Sequence, residues 1–348
     1  MSCGGLALLA VGNDSAIEAD KLQPMPSAAA AAAPAESVDV VIVSADMGSM
    51  TLSCVEKLDS LAVADVVVVD NAFDPEQPRE SGARAELSRR ATIAPLDARH
   101  GFAAANNRGV AHGRAAYVLL LNSDVLVVEG AIELLVQALA QRPGAVAAGG
   151  RLVDPDTLQT QPQYRPRPFP TLANFLVIVL GIEELWPGNP VTRRYHGAAL
   201  DEGSVHVVKT QPAAAALLVR RDALESIGGL DERFWFWFED SDLLLRLNAL
   251  GEILYVPTAV FRHLGGGTFS RWDKAERIRS VHHGIVQYAD AHFSRFRRAV
   301  LGVALLAISL PRVALFGRSR PREASAWRAV AGSGTALIAG RRPDAIAP

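Results

Sequence analysis

"VDVVIVSADMGSMTLSCVEKLDSLAVADVVVVD", residues 38–70, holds two β-branched runs on either side of a stretch with helical spacing. The runs 38–44 and 64–70 are apolar without alternation and end in polar residues, as strands covered on both faces do. "YVLLLNSDV" (117–125) is a third strand of this kind, and "VEGAIELLVQALAQRPG" (128–144) is a helix closed by Pro143 and Gly144. Strand and helix alternate, which predicts right-handed crossovers and a doubly wound, mostly parallel α/β sheet. Ligands of such sheets bind at the carboxyl ends of the strands. Ser44, Asp70, Asn71, Asn122 and Asp124 fall there.

The pattern changes after residue 150. "DPDTLQTQPQYRPRPFP" is Pro-rich loop, "NFLVIVLGIEELW" a short helix, and "VHVVKTQPAAAALLVRRDAL" a strand, a turn, a strand and a helix start. Arg220 and Arg221 in that last stretch read as a solvated helix start. "EDSDLLLRLNALG" (239–251) is a helix closed by Gly251, and "EILYVPTAVFRHLGGG" is one or two strands running into a loop.

Bulk properties narrow the function. With 348 residues and 49% apolar content the chain can build a large core. A formal net charge of −2 provides no global field for nucleic acid. Two cysteines, Cys3 and Cys54, make neither a disulfide framework nor a structural zinc site by themselves, and fit a reducing compartment. "MSCGGLALLAVGNDS" has no basic start and only a short apolar run, unlike a secretory signal. Residues 1–37, with "PSAAAAAAPAES", read as a disordered Ala/Pro-rich leader or an upstream mis-start. "FRRAVLGVALLAISLPRVALFGRSRPR" (296–322) is apolar, broken at Pro311 and flanked by arginines. It suits a helix lying in a membrane surface better than a span, with a core helix ending at Pro311 as the other reading.

Two polar clusters carry chemistry. Asn122-Ser123-Asp124 ends a strand, where a carboxylate can hold Mg2+ or Mn2+; the same triplet is also a common turn. In "RFWFWFEDSDLLLRL" (233–247), Asp240 and Asp242 open a helix. Asp242 is four residues from Arg246 and can pair with it. Asp240 points about 200° away, free to act as a general base. The aromatics before it either wall an acceptor pocket or belong to the core, and at least two of the five from Phe234 to Phe238 are expected in the core.

The run "VDVVIVS…VVVVDNA…RHGFAAANNRGV…LLLNSDV…GGRLVDPD…AAALLVRRDALESIGGLDERFWFWFEDSDLLLRL…YVPTAVFRHLGGG" resembles family 2 inverting glycosyltransferases of the GT-A fold, across roughly residues 38–290. Within the family it looks most like bacterial rhamnosyltransferases that use dTDP-rhamnose. "DPDTLQTQPQYRPRPFPTL" and "WPGNPVTRRYH" are similar to actinobacterial cell-wall enzymes acting on polyprenyl-diphosphate-linked GlcNAc. The resemblance implies a GT-A type Rossmann-like sheet with flanking helices and a C-terminal helical extension. It divides the chain into a nucleotide-sugar half (38–150), an acceptor and catalytic half (151–290) and an amphipathic membrane-surface helix and tail (291–348). Ser44, Asp70 and Asn71 would line the pyrimidine and ribose, with Gly101, Asn106, Asn107 and Asn122 beside the nucleotide. Asp124 would hold the cation on the diphosphate, and His263 would be a second metal ligand or a diphosphate contact. Gly265–Gly267 would let the next loop move. Asp240 would be the base, with Glu239, Asp242 and Arg246 supporting it. The implied partners are a nucleotide-sugar donor, a glycan or lipid-linked saccharide acceptor and a membrane surface, at the cytoplasmic face of the plasma membrane.

Two departures stand out. Asn122 replaces the first aspartate of the usual metal motif, and Gln211-Pro212-Ala213 stands where Ser-Gly is usual near the acceptor. They leave room for a degenerate, non-catalytic assembly partner. A sugar nucleotidyltransferase is the other alternative, but "SADMGSM" after the first strand lacks the basic phosphate loop it would need.

Overall fold

A computed structural model describes residues 20–21, 38–45, 47–58, 61, 63–71, 81–197, 199–265 and 272–343. The strands are β1 (Asp20–Lys21), β2 (Val38–Ser44), β3 (Asp65–Asp70), β4 (Thr92–Pro95), β5 (Tyr117–Asn122), β6 (Val125–Val127), β7 (Ala145–Val153), β8 (His206–Val208), β9 (Ala216–Arg220) and β10 (Glu252–His263). The helices are α1 (Ser49–Glu56), α2 (Ser81–Arg90), α3 (Phe102–Val110), α4 (Ala131–Gln141), α5 (Leu172–Val179), α6 (Ile182–Leu185), α7 (Pro190–Tyr195), α8 (Arg221–Ser226), α9 (Glu239–Asn248), α10 (Lys274–His292), α11 (Arg295–Phe316) and α12 (Pro321–Ala339).

β2 is buried along its whole length, as its unbroken apolar run requires. It pairs in parallel with β3 and β5, and β4 continues the parallel edge. β9 runs antiparallel between β5 and β7, and β10 returns parallel to β7. The sheet order is β1-β8-β10-β7-β9-β5-β2-β3-β4, with β6 paired to β10.

Side-chain alternation along β2 divides two cores. Val38, Val40 and Ile42 join residues of α1, α2 and α4 on one face. Val41 and Val43 join residues of α3, α8 and α9 on the other. This is the doubly wound α/β arrangement the sequence predicts. A third cluster lies apart from the sheet, where α5, α10, α11 and α12 pack together.

Several expectations are refined. β10 is one strand of 12 residues, with its register to β7 shifted between Val256 and Val260 around Pro257. α11 does not end at Pro311 but runs 22 residues through it. Ala307 and Pro311 face solvent, where water can serve the carbonyl that proline leaves without a donor, and Arg312 Nη1 donates to Ile308 O at 2.8 Å. Of the leader, Asp20–Lys21 pair with β8; the rest of 1–37, with Cys3, lies outside the described residues.

Candidate active site at the strand ends

Register assembles the first half of the site. Ser44 stands opposite Asp70, and Val43 opposite Asn122, so three strands end level with one another. Ser44 Oγ lies 2.7 Å from Thr51 Oγ1 and accepts the Met47 N–H. Asp70 pairs with Arg84. The Asn71 side chain holds the His100 backbone, donating to its carbonyl and accepting its N–H. These polar groups form a braced rim rather than loose strand ends.

Asp124 sits in the turn from β5 to β6. β6 then pairs with β10 so that Val125 faces His263, which brings His263 Nε2 to 3.5 Å from Asp124 Oδ2. Gln161 fixes the ring. Its Nε2 donates to the His263 carbonyl at 3.2 Å, which leaves Oε1 to face His263 Nδ1 at 3.1 Å. Nδ1 therefore carries the proton, and Nε2 presents a lone pair to the carboxylate. Burial depresses the imidazole pKa, against the pull of Asp124, so the ring is neutral. Two electron-pair donors face each other, and a histidine braced on its far nitrogen is the usual form of a metal ligand. The pair fits a divalent cation that completes its shell with water and substrate oxygens. Among the described residues no cluster of three or more His, Cys, Asp or Glu is present, so the protein itself would supply only part of that shell.

The second half of the site is the start of α9. The helical phase separates the acids as the sequence predicts. Asp242 is buried, pairs with Arg246 at 2.6 Å and takes His292 Nε2 at 2.7 Å on its other oxygen. The Asp240 side chain is 28% exposed, and its Oδ1 accepts the Ser241 N–H at 2.7 Å. Glu239 is buried with Oε2 unpartnered, and burial together with the Asp240 charge raises its pKa to about 8. It is a neutral acid at neutral pH.

Three residues absent from the sequence-based site surround Asp240. Arg167 Nη2 stands 3.9 Å from Asp240 Oδ2, and its guanidinium lies 5.4 Å from the Tyr195 ring centre. Gln211 exchanges backbone hydrogen bonds with Arg167, donates through Nε2 to Pro168 O, and accepts from Ser241 Oγ at 2.6 Å. Burial raises the Tyr195 pKa, opposed by the neighbouring Arg167 charge. The segment 161–168 thus runs from His263 to Asp240: Gln161 holds the histidine, Tyr164 packs edge-on against its ring at 4.5 Å, and Arg167 meets the Asp240 carboxylate. Tyr164 feels the charges of both Asp124 and Arg167. The available signal was two Gln, a Tyr and two Arg interleaved with four prolines at 161–170, polar groups on a stiffened loop. Pro212, a departure from the family pattern, lies where a side chain on Gly149 would sit, 2.6 Å from the ring.

Other expected residues have structural partners. A Cβ on Gly101 would stand 2.8 Å from the Trp235 backbone, and Phe102 N donates to Trp235 O, so Gly101 docks the aromatic loop on α3. Asn106 bonds within α3, and Asn107 clamps the Leu230 backbone from both sides. Of the aromatics, Phe234 is buried and Phe238 packs against the same cluster, while the intervening three are half-buried. The solvated reading of Arg220 and Arg221 is corrected. Both are drawn in by backbone carbonyls at the opposite end of the sheet, and Arg221 pairs with buried Asp39 at 2.7 Å. Gly265 has φ +72°, while Gly266 and Gly267 lie outside the described residues.

The Glycosyl transferase family 2 model matches residues 40–196. An N-acetylglucosaminyl-diphospho-decaprenol L-rhamnosyltransferase of Mycobacterium tuberculosis is 31% identical over 67% of this chain and 76% of its own length. The O-antigen biosynthesis protein RfbC of Myxococcus xanthus is 29% identical over 43% of this chain and 11% of its own. Among solved structures, S. aureus TarS 1–349 superposes with a TM-score of 0.45 at 11% identity, covering 88% of this chain and 92% of that one, a likeness too slight to add to the assignment.

Proposed function

The chain belongs to glycosyltransferase family 2, and we propose that it moves L-rhamnose from dTDP-L-rhamnose to a hydroxyl of a polyprenyl-diphosphate-linked saccharide, with inversion. The observation that carries this reading is the pairing of two carboxylates by one loop: Asp124 with His263 at one end of segment 161–168, and Asp240 with Arg167 at the other.

In this reading Asp240 Oδ2 takes the proton of the acceptor hydroxyl while that oxygen attacks the anomeric carbon from the face opposite the diphosphate. A single displacement turns a β-L-rhamnosyl donor into an α-L-rhamnoside. Arg167 keeps Asp240 in place from one side, and the Ser241 N–H does so from the helix start. Ser44, Asp70 and Asn71 form the rim against which the pyrimidine and ribose rest. Mg2+ or Mn2+, held by Asp124 and His263, would neutralise the diphosphate leaving group. Neutral Glu239 leaves Asp240 without a second negative charge on the adjoining residue.

The lipid-linked acceptor named for the mycobacterial relative suits a site at a membrane surface, the cytoplasmic face in this reading. By length and composition α11 could cross a bilayer, its most apolar 18-residue window having a mean hydropathy of 2.2. Its packing against α5, α10 and α12 favours lying flat instead, because a span would draw the charged faces of α10 into lipid. The relative's name and the resemblance supply the sugar and acceptor.

The test is a panel of dTDP-, UDP- and GDP-sugars with nucleotide release as readout, with and without polyprenyl-diphosphate GlcNAc. Release from dTDP-rhamnose that accelerates with acceptor is expected. Preference for another donor would overturn the sugar assignment, and no release from any donor would overturn the activity.

A further inference from the structure

Nine of the twelve large apolar side chains exposed among the described residues belong to α5–α6 with the residue after it, or to α11–α12. Leu185 is 86% exposed and Trp186 60%, at the end of α6. Nothing about this corner is slack. Gly181 turns the chain at φ +66°, Trp186 N donates to Ile182 O at 2.7 Å, and Asn189 N donates to Trp186 O at 3.2 Å. The buried Asn189 amide donates to Glu183 at 3.0 Å and caps α7 through Val191 and Thr192. A hydrogen-bonded corner holds a leucine and a tryptophan outward, where a soluble surface gains nothing from them.

The corner is continuous with the C-terminal helices. Phe175 and Val179 of α5 share a cluster with Leu301, Leu305 and Ile308 of α11. α11 in turn exposes Phe296, Val303, Leu310 and Leu315. Charge identifies the partner. Residues 291–343 carry ten arginines and one glutamate, although the whole chain has a net charge of −2. On the other side of the corner α7 exposes Arg193 and Arg194, and Glu184 is the one fully exposed acid between Gly181 and Tyr195. Apolar side chains bounded by arginines match the acyl and phosphate layers of an anionic bilayer.

We propose that the Leu185–Trp186 corner is a second membrane anchor, which inserts into a bilayer bearing anionic headgroups and sets the orientation of the Asp240 cleft. It rests on the membrane-surface reading of α11 and adds a contact on the acceptor side. α7 begins four residues beyond Trp186 and ends in Tyr195, whose ring lies under Arg167, which faces Asp240. One short segment therefore joins the anchor to the reacting carboxylate. α11 alone fixes a line on the membrane and leaves rotation about it open. A second point of insertion removes that freedom and turns the cleft toward hydroxyls that stand at headgroup depth.

The full chain is sedimented with phosphatidylcholine vesicles, with and without phosphatidylglycerol, as wild type and as Leu185→Ser/Trp186→Ser. Both side chains are solvent-facing, so the fold is retained. Wild type is expected to bind the phosphatidylglycerol vesicles, and the double variant about tenfold or more weakly. The wild-type blue shift of tryptophan emission on vesicle addition is expected to shrink in Trp186→Phe. Equal vesicle binding by wild type and double variant would overturn the proposal. So would a variant that changes oligomeric state in solution and not vesicle binding, which would assign the corner to a second copy of the chain. Nucleotide release from dTDP-rhamnose without acceptor is expected to be the same in both. Its absence in both, with acceptor present as well as without it, would refute the transferase reading while leaving the anchor result standing.

Discussion

Arg167 links segment 161–168 to the start of α9. Its guanidinium lies 5.4 Å from the Tyr195 ring centre and 3.9 Å from the Asp240 carboxylate. Lysine supplies the charge but not the flat, delocalised cation that sits over an aromatic ring. Arg167→Lys is expected to lower kcat/KM about tenfold and Arg167→Ala further, after allowing for solvent screening of a pair about one-third exposed. Donor affinity is expected to persist, as read by calorimetry with dTDP. Asp124 and His263 make a separate prediction. Mn2+ should raise Tm in the wild type and less in Asp124→Asn or His263→Ala, because a ligand bound only to the folded state stabilises it. Equal rises would place the cation elsewhere. Glu239 gives a pH signature. Its folded pKa is raised from 4.5 to about 8, so the folded state binds the extra proton between those values. Stability should therefore fall as pH rises through that window, by up to about 1.4 kcal/mol per pH unit, and Glu239→Gln should flatten the slope. Chemical denaturation at several pH values measures it. At this scale the sequence disclosed Asp240 and Asp242, because helical phase alone separates them. Arg167 and Tyr195 were not legible, since a loop's path across a cleft has no periodicity, and Gln211 was visible only as a departure from the family pattern.

Two consecutive non-glycine residues, Trp237 at φ +76° and Phe238 at φ +66°, lead into α9. Each left-handed residue costs roughly 1–3 kcal/mol, so the turn persists only because its surroundings hold it. Gly284 of α10 is one support: a Cβ there would stand 2.4 Å from the Trp237 carbonyl oxygen. Edge-on aromatic contacts are the other, Phe238 with Phe175 at 5.1 Å and Phe236 with Trp272 at 5.1 Å. Gly284→Ala is expected to destabilise by about 1–3 kcal/mol and to displace the start of α9. Thermal unfolding measures the first, and a fall in kcat with donor affinity retained measures the second. The aromatic run was visible in the sequence, but its backbone was not, because tryptophan and phenylalanine give no hint of positive φ. Likewise β2, β3 and β5 were legible from their valine and leucine runs, whereas β6 was not. Three residues carry little pattern, yet their pairing with β10 places His263 beside Asp124.

Across the whole molecule, the sheet positions Asp124 and His263, and the C-terminal helical layer packs against the aromatic run that leads to Asp240. His282 lies at the centre of that layer. Its Nδ1–H donates to Ile278 O at 2.7 Å and its ring meets Trp327 edge-on, tying α10 to α12. Burial first, then Arg312, push its pKa from 6.5 down to about 4. The unfolded chain binds the proton more readily, so this contribution is full above pH 6.5 and is lost as pH falls toward 4. Hydrogen exchange in α10 and α12 should accelerate before the sheet does over that range, and His282→Gln should remove the difference. The layer was half legible: the apolar run of α11 was plain, but its passage through Pro311 depends on an outward carbonyl that water can reach. What unites the three scales is the proposed division of labour between Asp124 and Asp240. The most direct measurement compares wild type and Asp240→Asn with dTDP-rhamnose and acceptor at saturating Mn2+. Turnover is expected to fall about 10²–10⁴-fold with donor affinity unchanged. Equal turnover in the two proteins would contradict the assignment of Asp240 as the base.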